Sequence, residues 1–266
     1  MRVERDVRGE VLRHGAYLCL KLAYVAPGAK AAGLPALAGR LGLRNEFDAE
    51  AGHPEEAVAF LRRIDATPAQ VADDALLHAD AIVHVASRSA ASVPEFCAEA
   101  KHLLGPAVTA VLSGLVRPPR YTGAAMHDFA YARQVVQQPG RDMPHAFLVP
   151  TRKTADWWAR DWMERHTYFL PRYDDAGRML SQGHALAAAA GIPCLMRRTY
   201  RHTDEPAPEG AYDFLNYFEC AAADVPTFHA VCAALRDAAR NPEWRFVREG
   251  PTWHGRRVAT WAELFE

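Results

Sequence analysis

Apolar and polar positions along this chain fall into one pattern that occurs twice. ADAIVHVASRSAASVPEF (79–96) and AYDFLNYFECAAADVPTF (211–228) are each 18 residues long, at an offset of 132 (211 − 79). Each opens as a run rich in β-branched or aromatic residues, crosses a short loop of small residues, and enters a helix at Val-Pro-x-Phe. Ser92 or Asp224 stands where an N-cap is expected, and Pro94 or Pro226 falls in the first turn, where a missing N–H costs nothing. The helices that follow keep the helical period. Phe96, Ala100, Leu103 and Leu104 mark one apolar stripe; Phe228, Val231, Cys232 and Leu235 mark the other.

A strand is predicted after each helix, over AVTAVLSGLV (107–116) and EWRFVREGPTW (243–253), and another at the head of each half, over AYLCLKLAYV (16–25) and HAFLVPT (145–151). The fold class is therefore α+β: two ferredoxin-like repeats that share a sheet or close into a barrel. The N-terminal half is assigned to 1–130 and the C-terminal half to 131–266. The segment 117–144 reads as a long connector from its Pro, Gly and Gln content. The second half carries an excess over roughly 153–191, read as two helices broken near Pro171 with Asp174 or Asp175 as a cap. Trp157, Trp158 and Trp162 cluster there, which suits either core packing or a wall for a large flat ligand.

Charge narrows the function. The formal net charge is −1 and half of the residues are hydrophobic, so no surplus of Lys and Arg exists to neutralise a nucleic acid. The opening MRVERDVRGEVLRHG has no apolar core of a signal peptide, and ALAAAAGIPCLM is too short to span a bilayer. A soluble cytoplasmic protein without a membrane or nucleic-acid partner is expected. Cys19, Cys97, Cys194, Cys220 and Cys232 are odd in number and scattered, which points to free thiols in the core.

No HExxH, GxSxG, Walker loop or GxGxxG motif is present. Among the twelve histidines, His14, His53, His102, His127 and His202 sit singly in polar surroundings and are expected to be solvated. His184 differs, because Gly183, Ala185, Ala187 and Ala188 around it are small enough to let something broad approach. GIPCLMRRTY then reads as a strand, and alternation puts Cys194, Met196, Arg198 and Tyr200 on one face with Leu195, Arg197 and Thr199 on the other.

With these residues in view, the chain resembles the chlorite dismutase family, haem b proteins of dimeric α+β-barrel fold. PHAFLVPTRKTADWW (144–158), GLVRPPRYTG (114–123), YDFLNYFE (212–219), FHAVCAAL (228–235) and GPTWHG (250–255) match its landmarks in order, over nearly the whole chain. The resemblance implies that His184 is the proximal ligand of the haem iron. It makes Arg197, thirteen residues on (197 − 184), the catalytic distal arginine of the chlorite-degrading members. By the same matching Tyr121, Lys153 and Trp157 line the haem or hold its propionates, Trp158 belongs to the same wall, and Phe218 forms part of the apolar distal surface. The implied reaction converts chlorite to chloride and dioxygen. Family members are homo-oligomers, and the length here fits the long-subunit class, which favours a pentamer.

Three departures from the family pattern accompany the match. The place of the glutamate that holds the far nitrogen of the proximal histidine is taken by Arg240 or Asn241, and Asp237 or Glu243 could substitute only in a different register. Thr199 and Asn216 make the distal side more polar. The tryptophan doublet stands farther from the proximal histidine than in relatives, which implies an insertion around 159–172. A coproheme decarboxylase is disfavoured, because its tyrosine position is Val149 here. A haem enzyme acting on peroxide or a nitrogen compound, and a non-catalytic haem-binding protein, are the alternatives.

Overall fold

The computed structural model describes residues 13–48, 56–64, 75–116 and 143–266. Its first half runs Arg13–Leu20 (β1), Pro27–Arg40 (α1), Arg44–Asn45 (β2), Ala57–Arg63 (β3), Ala81–Ser87 (β4), Ser92–Leu104 (α2) and Val108–Val116 (β5). The second half runs His145–Lys153 (β6), Ala155–Ala159 (α3), Trp162–Thr167 (α4), Arg172–Tyr173 (β7), Met179–Ser181 (β8), Gly183–Ala187 (α5), Met196–Arg201 (β9), Phe214–Cys220 (β10), Val225–Arg236 (α6), Val247–Glu249 (β11) and Trp253–Val258 (β12).

Strand order is β5-β1-β4-β3 in the first half and β12-β6-β10-β9 in the second. Numbered within each half, both orders are 4-1-3-2, the ferredoxin-like arrangement read from the sequence. The halves join twice, β3 to β12 over four residue pairs and β5 to β9 at Leu115 and Arg201, and so close one antiparallel barrel. The echo extends beyond the motif that revealed it: β1 begins at Arg13 and β6 at His145, again 132 apart (145 − 13). The boundary expected at 130/131 and the 117–142 part of the connector lie outside the described residues.

Alternation along the strands separates two environments. Inward-facing Tyr17, Ile82, Leu148, Met196, Tyr200, Leu215, Tyr217 and Trp253 fill the barrel. Outward-facing residues meet the helices: α1 and α2 cover the first half through Leu34, Leu37, Val93, Phe96, Ala100 and Leu104, and α6 covers the second through Phe228, Val231 and Cys232. Leu103 departs from its expected stripe and is exposed. Ser92 is the first residue of α2 rather than its cap, and Asp224 occupies the N-cap position of α6 without a side-chain cap hydrogen bond.

The barrel interior also holds ions. Arg198 Nη1 donates to Glu46 Oε1 at 3.2 Å and to the Tyr200 hydroxyl at 3.3 Å. His84 Nε2 lies 2.9 Å from that hydroxyl. Arg257 donates to Glu219 Oε2 at 3.2 Å and to the Glu46 carbonyl at 3.2 Å, while Tyr217 donates to Glu219 Oε1 at 2.5 Å. Such burial is tolerable because each charge has an opposite charge and hydrogen bonds around it. The network joins both halves, since Glu46 belongs to the first and Arg198, Glu219 and Arg257 to the second.

Three predicted elements are corrected. The strand expected over 16–25 starts earlier, at Arg13, and ends at Leu20, before a 3-10 turn at Leu22–Tyr24. Residues 172–181 form a hairpin, β7–β8, instead of entering a second helix. Asp174 caps its turn by accepting from the Ala176 and Arg178 backbone N–H groups, and Gly177 takes a φ of 75° that Cβ-bearing residues disfavour. The strand expected over 243–253 is instead a 3-10 turn at 242–246, then β11, with the barrel-closing strand β12 beginning only at Trp253. The five cysteines are free thiols, as expected, but only Cys19, Cys220 and Cys232 are buried; Cys97 and Cys194 are half-buried. Among the described residues no helix is long and apolar enough to cross a membrane.

Candidate functional site

The outer face of the second half-sheet carries the candidate site. Antiparallel register pairs Thr151 with Phe214, Val149 with Asn216 and Phe147 with Phe218 across β6 and β10, and Arg197 with Phe218 and Thr199 with Asn216 across β10 and β9. Cross-strand partners share a face. Lys153, Thr151, Val149, Asn216, Phe218, Thr199 and Arg197 therefore lie on one surface, outside the barrel. Arg198, one residue from Arg197, points the other way into the core. The alternation read from the sequence holds through this strand.

His184 stands on α5, beside that surface. The helix is short and held at its ends. Gly183 has φ 64°, and a Cβ there would collide with the Leu170 carbonyl oxygen, so glycine is required. The His184 and Ala185 N–H groups donate to the Tyr168 and Phe169 carbonyls at 3.2 and 2.9 Å, and the Phe169 ring stacks on the imidazole with centroids 5.1 Å apart. Buried Ala185 and Ala187 let the helix sit close to its neighbours, as their size suggested.

The imidazole is fixed from below by an acid. His184 Nδ1 lies 3.0 Å from Glu243 Oε2, and the other carboxylate oxygen accepts from Lys153 Nζ at 2.5 Å. Burial by itself would push the Glu243 carboxyl up, but Lys153 and His184 hold it well below the usual carboxylate range. The carboxylate thus stays ionised and fixes Nδ1 as the protonated nitrogen, leaving Nε2 with its lone pair for a metal. This overturns the expectation that the histidine lacks its acidic partner. Matching to the family pattern within DAARNPEW put Arg240 or Asn241 there. The 3-10 turn opened by Pro242 instead swings Glu243 under the ring.

Lys153 is committed to Glu243 and also lies over the Trp157 ring, 4.1 Å from its centroid. Trp157 is buried against Tyr168 and Phe246, two wall residues that the sequence reading did not name. Trp158 is half-buried; its indole N–H is shielded from solvent and has no acceptor among the described residues, and the hydroxyl of Thr154, at the N-cap of α3, is likewise shielded and without a hydrogen-bond partner among them. Trp162 is exposed. Phe218 packs edge-on against Phe228 at 5.4 Å. Tyr121 lies outside the described residues. The polar pair Thr199 and Asn216 lies on this outer face with its groups engaged along the sheet: Thr199 donates to Asn216 Oδ1 at 3.1 Å, and Asn216 Nδ2 donates to the Val149 carbonyl at 3.1 Å. Their polarity is used in bridging β9, β10 and β6.

One histidine with an acid-fixed tautomer, a guanidinium on the same side of the sheet and a wall of Trp157, Tyr168, Phe169 and Phe246 form the site. Among the described residues no group of three or more His, Cys, Asp or Glu side chains converges as a metal cage. A metal here would have to bring most of its own ligands, as a macrocycle does.

No protein-family model matches the chain, and no curated protein matches it. Solved structures do. A mutant chlorite dismutase from Candidatus Nitrospira defluvii, and chlorite dismutase from the same organism in complex with imidazole, each share 19% identity with this chain at a TM-score of 0.66. Each comparison covers 95% of this chain and 93% of the other. Dimeric chlorite dismutase from Nitrobacter winogradskyi is 23% identical at a TM-score of 0.50, over 76% of this chain and 99% of that one. The α+β barrel with its two ferredoxin-like halves is the chlorite dismutase fold.

Proposed function

We propose that the chain is a haem b oxidoreductase that converts chlorite to chloride and dioxygen, with His184 as the residue that would hold the haem iron and Arg197 as the anion-holding catalytic residue. The single observation that carries this reading is the Lys153–Glu243–His184 chain of hydrogen bonds, which engages Nδ1 of one imidazole and ties it to a strand whose outer face is shared with Arg197. The residues present fit a haem. The donor set is one imidazole, the wall is aromatic, and the shielded N–H of Trp158, which has no acceptor among the described residues, would suit a propionate.

A bound haem would supply a redox-active iron able to accept oxygen from a small oxyanion. The chain's own residues do the rest. Glu243 accepts a hydrogen bond from Nδ1–H and raises the basicity of Nε2. Lys153 keeps that carboxylate charged and in place. Arg197, with its permanently charged guanidinium, would hold chlorite and orient it as an anion. Phe218 and Val149 keep water from competing. The overall conversion takes up and releases no proton, so no general acid or base is required on the open face.

Homo-oligomerisation belongs to the same proposal, supported by the dimeric description of the Nitrobacter winogradskyi protein. The rival reading, a haem enzyme for peroxide or nitrogen compounds, rested on a missing proximal acid and a polar distal face. Glu243 supplies such an acid, while Thr199 and Asn216, bonded to each other and to the Val149 carbonyl, keep that face polar. The experiment is an oxygen-electrode trace on haem-loaded protein given chlorite, beside Arg197→Gln. Rapid oxygen release that collapses in the variant is expected. A haem-loaded wild type that releases no oxygen would contradict the chlorite reading.

A further inference from the structure

We propose that His145 and His254 form a binding site for a divalent transition-metal ion, separate from the site around His184. His145 opens β6 and His254 lies on β12, where the register pairs His254 with Phe147 and Arg256 with His145. The two histidines are diagonal neighbours on one face of adjacent strands, close enough for long side chains to meet. They do meet: His145 Nδ1 lies 3.1 Å from His254 Nε2. For metal–nitrogen bonds of about 2.0–2.1 Å, two ligands subtending about 90–109° at one ion stand about 2.8–3.4 Å apart. The pair already has the spacing of two cis ligands.

The site is also preorganised. The His254 ring stacks on Phe147 with centroids 4.1 Å apart and 12° between planes, and Phe147 stacks in turn on Phe228 at 3.7 Å. Both histidines are half-buried, so solvent reaches them. Without an ion, one ring N–H donates to the other ring's lone pair. Binding needs both lone pairs, so the ring that donates must exchange its N–H for its other tautomer through water. No third His, Cys, Asp or Glu joins them among the described residues, which leaves the other positions to water. Two imidazoles with water suit copper, nickel or zinc and not calcium or magnesium. Arg256, opposite His145, is exposed, and solvent screens its charge.

The test is titration of chelator-treated full-length protein with Cu(II), followed by electron paramagnetic resonance, beside His145→Ala and His254→Gln. The glutamine variant keeps a polar group at a half-exposed position, so it preserves the fold if the alanine variant does not. One equivalent of copper showing superhyperfine splitting from two imidazole nitrogens is expected, with affinity lowered roughly tenfold or more in each folded variant, since loss of an outer-shell partner alone costs that much. A two-nitrogen signal that persists unchanged in the variants, or no stoichiometric binding by the wild type, would overturn the proposal.

Discussion

His184 and Glu243 face each other with Nδ1 3.0 Å from Oε2, although 59 positions separate them in the chain. That contact ties the last stretch before the barrel-closing strand to the helix that presents the candidate ligand. It also brings Lys153, from the first strand of the same half, into the arrangement through its 2.5 Å bond to the other carboxylate oxygen.

Removing the charge of Glu243 tests that arrangement by its pH dependence. The carboxyl is held below its ordinary value of 4.5 in the folded state. Its contribution is therefore complete above that value and is lost as pH falls below it. Glu243→Gln should lower the stability of the haem-free protein at neutral pH by roughly 3 kcal/mol, because Lys153 is left buried without its counter-charge. The difference from wild type should shrink as the solution is acidified below about 4.5. Urea melts across that range check both statements.

Adjacent arginines should behave in opposite ways. Arg198 is buried against Glu46, so Arg198→Ala leaves an uncompensated carboxylate and should cost about 3–5 kcal/mol in urea unfolding. Arg197 is only half-buried, on the outer face, and Arg197→Gln should stay within about 1 kcal/mol of wild type while oxygen release from chlorite collapses. Equal stability losses in the two variants would mean that the assignment of faces is wrong.

Glu219 predicts a slope of the other sign. Burial, working against the nearby Arg257 guanidinium, pushes its carboxyl from 4.5 up to about 7. Between those values the folded state holds a proton that the unfolded state has released, so stability falls as pH rises through the window, by at most about 3 kcal/mol. Glu219→Gln should flatten this part of the stability–pH curve. A slope that survives the substitution would assign it to another group.

Gly183 should be intolerant of a side chain. Its φ of 64° and the Leu170 carbonyl beside it leave no room for a Cβ. Gly183→Ala should destabilise by about 1–3 kcal/mol and displace α5. Transfer of haem from the loaded variant to a competing haem acceptor should accordingly be faster than from wild type.

The features legible in the sequence are those carried by short-range pattern. The echo of 79–96 in 211–228 reported β4–α2 and β10–α6, because each pair is set by its own alternation and helical stripe. The separation of Arg197 from Arg198 needed only the two-residue period of one strand. Features that depend on distant partners were hidden. Nothing near Arg198 announces Glu46, which is 152 positions away. Glu243 was obscured because an added turn and β11 precede the closing strand, so matching to the family pattern fails there. The hairpin over 172–181 could have been found from Asp174 and Gly177, whose turn chemistry competes with the helical reading.

The most direct test of the central claim is the resonance Raman spectrum of reduced, haem-loaded protein, read at the iron–histidine stretch. The account predicts the band in the wild type, a shift to lower frequency in Glu243→Gln as the imidazole loses its ionised partner, and its absence in His184→Ala. An unchanged band in His184→Ala would contradict the assignment of His184 as the ligand, and with it the haem pocket built on that histidine.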